Sequence, residues 1–200
     1  DFDLLQRANN DYTTIDLEHA EELAYRELID SIRYISLGDE CGVMGNIANI
    51  ITYKGRFYIQ EEQFDRVFIY DDTGRCLKKI DNKGRGPGEY LRIESIDINT
   101  EKEELMLVDG MSDKLFFYDL DGNFKSIHSI RYFQTENTLC LRDSVFLHIS
   151  APSQNFGNEG LYGYALVLSK GNENFLKGYR YLPLQVGYKG GGQIFKGYER

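Results

Sequence analysis

Hydrophobic and polar positions along this chain fall into short apolar runs separated by turns rich in Asp, Gly and Asn. Ile47 to Thr52, Arg56 to Gln60, Arg66 to Tyr70 and Cys76 to Ile80 read as four successive strands. Ile93 to Ile98, Glu104 to Val108, Lys114 to Tyr118 and Phe124 to Ile130 read as four more. A looser third set follows at Thr138 to Leu141, Val145 to Ser150, Tyr164 to Leu168 and Phe175 to Tyr181. Strands at this spacing, with turn residues between them, predict antiparallel sheets of four.

The first two sets are copies of one unit. Tyr70, Asp71 and Gly74 recur 48 residues later as Tyr118, Asp119 and Gly122, and the offset holds without gaps from Ile50 to Ile80. Thr52, Lys54, Asp65 and Phe68 recur as Thr100, Lys102, Asp113 and Phe116. Conservative matches fill the rest, such as Phe57 with Leu105 and Ile59 with Leu107. Four strands repeating at about 40 to 50 residues predict an all-β fold, a β-propeller of four-stranded antiparallel blades. Both Tyr-Asp stretches place Asp at a turn start and Gly where φ is positive, so they are expected to be hairpin loops. Neither has the spacing or the final Glu of a calcium-binding EF-hand.

Blade units are expected over 47–82, 91–130 and 135–182, within a propeller region 31–200 that follows an N-terminal extension, 1–30. Residues 183–200 would start a further blade or form a tail, and Gly190 to Gly192 would be a turn within it. Asp16 to Ile29 carries Leu17, Ala20, Ala24 and Leu28 among acidic residues and predicts a short amphipathic helix. Ser31 to Leu37 alternates as a strand outside the first unit, of the kind that completes the last blade of a closed ring. Closed propellers need roughly four to eight blades. The chain is therefore expected to continue beyond Arg200, or else to pair as three-bladed halves in a homodimer, or last, to form an open array with an exposed edge.

Composition changes the picture in three ways. The 15 Tyr and 12 Phe with no Trp favour strands. A formal charge of −9 argues against a nucleic-acid partner, which requires a surplus of Lys and Arg on one face. The three cysteines, Cys41, Cys76 and Cys140, are odd in number and widely spaced, so neither a disulfide framework nor a zinc site is expected. No run is long enough to span a bilayer.

Candidate chemistry is sparse. Three Gly and one Pro in Gly84-Arg85-Gly86-Pro87-Gly88 fix an unusual backbone path. The loop lacks the Gly-Lys-Ser/Thr ending of a phosphate-binding loop and is followed by a strand, so an inter-blade connector is the plainer reading. If the loop binds a ligand, Arg85, Glu89 and Tyr90 are the expected contacts. Asp65-Arg66 and Asp113-Lys114 occupy equivalent turns, with Glu61 and Asp109 four residues earlier. Repetition favours scaffolding, with calcium as the one cofactor such carboxylates leave open. His19, His128 and His148 have no metal-binding spacing, and the asparagine- and glycine-rich stretch from Ala151 to Gly163 is a long loop of the kind that carries function or neutral insertions.

Lys83-Gly84-Arg85-Gly86-Pro87-Gly88-Glu89-Tyr90, followed by Leu107-Val108-Asp109, Lys114-Leu115, Tyr118-Asp119 and Gly122, resembles the six-bladed propeller proteins of Bacteroidetes, relatives of NHL-repeat propellers. The stretch from Leu28 to Leu37 is similar to the strand with which such proteins open. The resemblance implies a six-bladed ring, export to the cell envelope, often as a lipoprotein in the periplasm or at the outer membrane, and no established activity. The expectation is a non-enzymatic envelope module binding an unknown ligand or envelope protein. The alternative is a calcium-dependent hydrolase or lyase of the six-bladed kind, with its catalytic groups scattered over blades and leaving no local motif.

Overall fold

The computed structural model describes residues 29–130, 137–142, 144–149, 164–171, 174–180, 186–189 and 192–195. The helix expected from Asp16 and the loop from Ala151 to Gly163 lie outside these residues, apart from Ile29, which is not helical. The first sheet is β1 (Ile47–Tyr53), β2 (Arg56–Glu61), β3 (Arg66–Asp71) and β4 (Cys76–Ile80), and the second is β5 (Ser95–Asn99), β6 (Glu104–Asp109), β7 (Lys114–Asp119) and β8 (Phe124–Ser129). The third is β9 (Asn137–Cys140), β10 (Val145–Ile149), β11 (Tyr164–Lys170) and β12 (Asn174–Arg180). Each is an antiparallel meander in chain order, which is the blade of a β-propeller. A two-stranded hairpin of β13 (Val186–Lys189) and β14 (Gly192–Phe195) follows.

The first strands β1, β5 and β9 lie beside one another, so the blades radiate from that side and stack face to face. Stacking explains why β3 and β7 read as continuous apolar runs: successive side chains point into the spaces on opposite sides of their blade, and both spaces are filled. Val67 and Ile69 meet Leu105, Leu107, Phe116 and Tyr118 of the second blade in one core. Phe68 and Tyr70 point the other way, into a smaller cluster with Ile59. A third core joins Met106, Val108, Leu115 and Phe117 to Phe146 of the third blade. The last strands of the first two blades carry Lys78, Lys79 and Lys125 toward solvent, which discourages edge pairing.

Both Tyr-Asp stretches are hairpin turns. The Asp71 carboxylate accepts from the Thr73 amide at 3.0 Å, the Thr73 hydroxyl at 2.6 Å and the Arg75 amide at 3.0 Å, and Asp119 accepts likewise from Asp121 and Asn123. Gly74 and Gly122 take φ of 87° and 80°. A Cβ on Gly122 would lie 2.9 Å from Ile69 of the first blade, so the turn also seats one blade on the next.

Three expectations are corrected. The gapless offset hides a slip of the first strand: Thr52 pairs with Phe57, but Ile98 rather than Thr100 pairs with the equivalent Leu105. A two-residue turn joins β1 to β2, whereas residues 100–103 join β5 to β6, and a slip of two leaves every side chain on its original face. Ser31 to Leu37 is not a strand and takes an irregular path over the β3–β4 turn, where Arg33 donates to the Asp72 carbonyl and the Gly38 amide to that of Gly74. Cys41 and Cys76 form a disulfide, their Cα atoms 6.0 Å apart, because the segment entering the first blade crosses the start of β4. Spacing along the chain carries no trace of that approach.

Candidate functional site

The blade topology sends the β2–β3 turn, the β6–β7 turn and the connector 81–94 to one edge of the stack. Asp65, Arg66, Asp113 and Lys114 sit at those turns, Tyr90 joins them through its hydroxyl bond to Asp65, and Arg85 and Glu89 lie in the glycine-rich loop of the connector, whose Gly88 faces Phe124 at the start of β8. The fold spends most of their polar atoms internally.

Glu61, fully buried at the end of β2, accepts from the Gln63 amide at 2.9 Å and the Phe64 amide at 3.3 Å. Arg66 donates to the same carboxylate at 2.9 Å and lies 4.5 Å over the Phe64 ring. Asp109 does the equivalent work in the second blade, accepting from the Met111 and Ser112 amides at 3.0 and 3.1 Å and from the Ser112 hydroxyl at 2.6 Å. Its second oxygen also accepts from the Leu91 amide at 2.7 Å and so pins the incoming connector. The turns are thus capped by Glu61 and Asp109.

Asp65 and Asp113 have left-handed backbones, with φ of 56° and 53°. The Asp65 carboxylate takes an ion pair from Lys83 and a 3.2 Å hydrogen bond from the Ile93 amide, while its carbonyl accepts from the Tyr90 hydroxyl at 2.8 Å. Tyr90 is completely buried, receives the Asn82 amide at 3.1 Å and packs edge-on against Phe116 at 6.0 Å. Burial pushes its phenol well above the usual range. Asp113 has its carboxyl raised, by burial first and then by Asp109.

The glycine-rich loop is closed by its own Glu89, whose carboxylate accepts from the Gly86 amide at 2.7 Å. A Cβ on Gly84 would lie 2.0 Å from that carboxylate, so a larger residue there would push the Glu89 side chain aside. The Gly84 amide donates to the Tyr90 carbonyl at 2.9 Å. The Gly84 and Gly86 amides are thus spent within the loop, and an anion at Gly86 would have to displace Glu89. Arg85 is exposed, and neither it nor Lys114 is ion-paired among the described residues.

One constellation left no sequence signal. In the third blade, His148 Nε2 lies 2.8 Å from the Ser169 hydroxyl and Nδ1 lies 3.0 Å from that of Thr138. The order resembles a nucleophile relay, but Ser169 is 6% exposed and His148 3%, so substrate has no approach. Burial lowers the imidazole to about 4 and keeps it neutral. These are residues of neighbouring strands that face the second blade alongside Phe146, and only the β9–β10–β11 register brings them together. No cluster of three His, Cys, Asp or Glu suited to a metal ion occurs among the described residues.

Among solved structures, a Bacteroides fragilis protein described as exported is similar, at a TM-score of 0.68 and 19% identity over 79% of this chain and 44% of that one. The β-propeller domain of Cps50 (Swd1) from Myceliophteria thermophila matches at 0.39 and 17% identity over 73% of this chain and 42% of that one. A DUF4221 family member from Bacteroides vulgatus matches at 0.41 and 9% identity over 64% of this chain and 40% of that one. This chain spans less than half the length of each. No functionally curated protein matches it. No helix among the described residues is long and apolar enough to cross a membrane. The model of a domain of unknown function, DUF4934, matches residues 12–192, and the chain belongs to that family.

Proposed function

We propose that this protein is a non-enzymatic β-propeller of the bacterial cell envelope, of the six-bladed Bacteroidetes kind, that binds a ligand or protein partner through the edge carrying the connector 81–94 and the β2–β3 and β6–β7 turns. The observation that carries the reading is the division of labour on that edge. Glu61, Asp65 and Asp109 are spent on backbone amides and on Arg66 or Lys83, whereas Arg85 stands exposed in the glycine-rich loop of the connector. A guanidinium held on a rigid loop offers a planar fork of donors to a carboxylate or phosphate oxygen. The similarity to a protein described as exported supports placement in the envelope, as does the Cys41–Cys76 disulfide, since such bonds persist in oxidising compartments.

Two measurements test it. A photo-crosslinking residue at position 85 is expected to trap a partner in intact cells that the same residue at Lys79, on the outer strand, does not. Steady multiple turnover of lactones, esters or glycosides by purified protein would overturn the non-enzymatic reading.

A further inference from the structure

We infer that the Cys41–Cys76 disulfide is a redox latch: its reduction releases residues 38–46 from an apolar face of the first blade. That face consists of Phe57, Ile59, Phe68 and Tyr70, and it is covered by Cys41 and Met44 of the segment entering the blade. The corresponding space between the first and second blades is held without a cross-link. There the connector inserts Tyr90 and Ile93, both buried, and the Tyr90 hydroxyl donates to one carbonyl while accepting an amide. The segment entering the first blade has no such aromatic anchor. Val43 is 83% exposed and Tyr34 92%, and the hydrogen bonds that tie the segment to the blade are the Gly38 amide on the Gly74 carbonyl at 2.8 Å, the Tyr70 hydroxyl on the Gly38 carbonyl at 3.2 Å, the Cys76 amide on the Glu40 carboxylate at 3.4 Å, Arg66 on the Val43 carbonyl at 3.5 Å and the Glu62 amide on the Asn46 carbonyl at 3.0 Å. The covalent bond takes the place of the missing anchor. Both cysteines are half-buried.

Opening proceeds by thiol–disulfide exchange. A dithiol reductant, of the oxidoreductase class or a small molecule, attacks one sulfur and forms a mixed disulfide. Its second thiol then displaces the protein sulfur, so two electrons and two protons pass to Cys41 and Cys76 as the reductant becomes a disulfide.

Hydrogen exchange of the full chain with and without dithiothreitol tests the latch, with thiol titration in denaturant to verify reduction. Amides of residues 38–46 and of Cys76 are expected to exchange at least about tenfold faster after reduction, while β6 and β7 keep their protection. The Cys41→Ser/Cys76→Ser protein should show the fast pattern under oxidising conditions and ignore dithiothreitol. Unchanged exchange over 38–46 in verified reduced protein would overturn the proposal, and so would loss of protection in β6 and β7 together with that segment.

Discussion

Acidification should weaken this protein through His148, by an amount the structure sets. The imidazole lies in the space between the second and third blades, where the first and second blades place Leu107 among apolar neighbours. Burial lowers its value from 6.5 to about 4. The unfolded chain therefore binds the proton more readily than the folded one. The stabilising difference is complete above pH 6.5 and is lost progressively as pH falls through that value toward 4, where it levels off. A separation of this size is worth about 3 kcal/mol, taking 1.36 kcal/mol for each pH unit between the two states. For a domain of this length that is roughly 6–12 °C in Tm.

Urea unfolding at several values between pH 7.5 and 4, on the wild type and on His148→Leu, measures it. The variant should be less stable at neutral pH, because Thr138 and Ser169 each lose the imidazole partner, at a cost of about 1–3 kcal/mol. Its stability should fall less steeply between pH 6.5 and 4. Carboxylates and His128, also lowered by burial first, titrate in both proteins and cancel in the difference. Parallel pH profiles for the two proteins would refute the reasoning. They would mean that the blade interface takes up a charged imidazole without cost.

Further outcomes follow from the connector and the turns. Tyr90→Phe keeps the ring against Phe116 but strands the Asp65 carbonyl and the Asn82 amide, and should lose about 1–3 kcal/mol in urea unfolding. Gly122→Ala combines a left-handed φ of 80° with a Cβ 2.9 Å from Ile69, and should lower stability by more than about 1 kcal/mol in the same assay, whereas Gly55→Ala, at φ 70° with open space around it, should lose less. Thermal melts with millimolar calcium and with chelator should coincide, since the repeated carboxylates Glu61 and Asp109 are already saturated by amide, hydroxyl and guanidinium donors. A clear upward shift with calcium would revive the metal-dependent hydrolase.

The blades were legible because their determinants are local and repeated. Tyr-Asp followed by Gly writes a turn into consecutive residues, and Arg66 to Tyr70 writes a two-faced strand in the same way. What stayed hidden depends on contacts between distant segments. Cys41 meets Cys76 only because the entering chain crosses the start of β4. His148 meets Ser169 only through the register of β10 on β11. The 48-residue offset hides the slip of the first strand for a subtler reason. A shift of two keeps the inward and outward pattern intact, so Thr52 and Thr100 still align by offset while pairing differently.

The same logic separates scaffold from specificity on the turn-bearing edge. A residue type that recurs at the same place in each blade answers a demand that each blade makes, and the capping by Glu61 and Asp109 shows what that demand is: amides at the tight β2–β3 and β6–β7 turns must be satisfied in a buried setting. On the proposed reading, recognition would fall to residues outside the repeat. Arg85 is such a residue, on a connector shaped by Glu89 and the glycines around it rather than by the blade. Arg85→Ala should therefore leave urea stability within about 0.5 kcal/mol of wild type, as surface substitutions commonly do, while Glu61→Ala should destabilise strongly by leaving Arg66 beside two unsatisfied amides. A loss of stability in Arg85→Ala comparable to that of Glu61→Ala would place Arg85 in the scaffold and remove it from the binding edge.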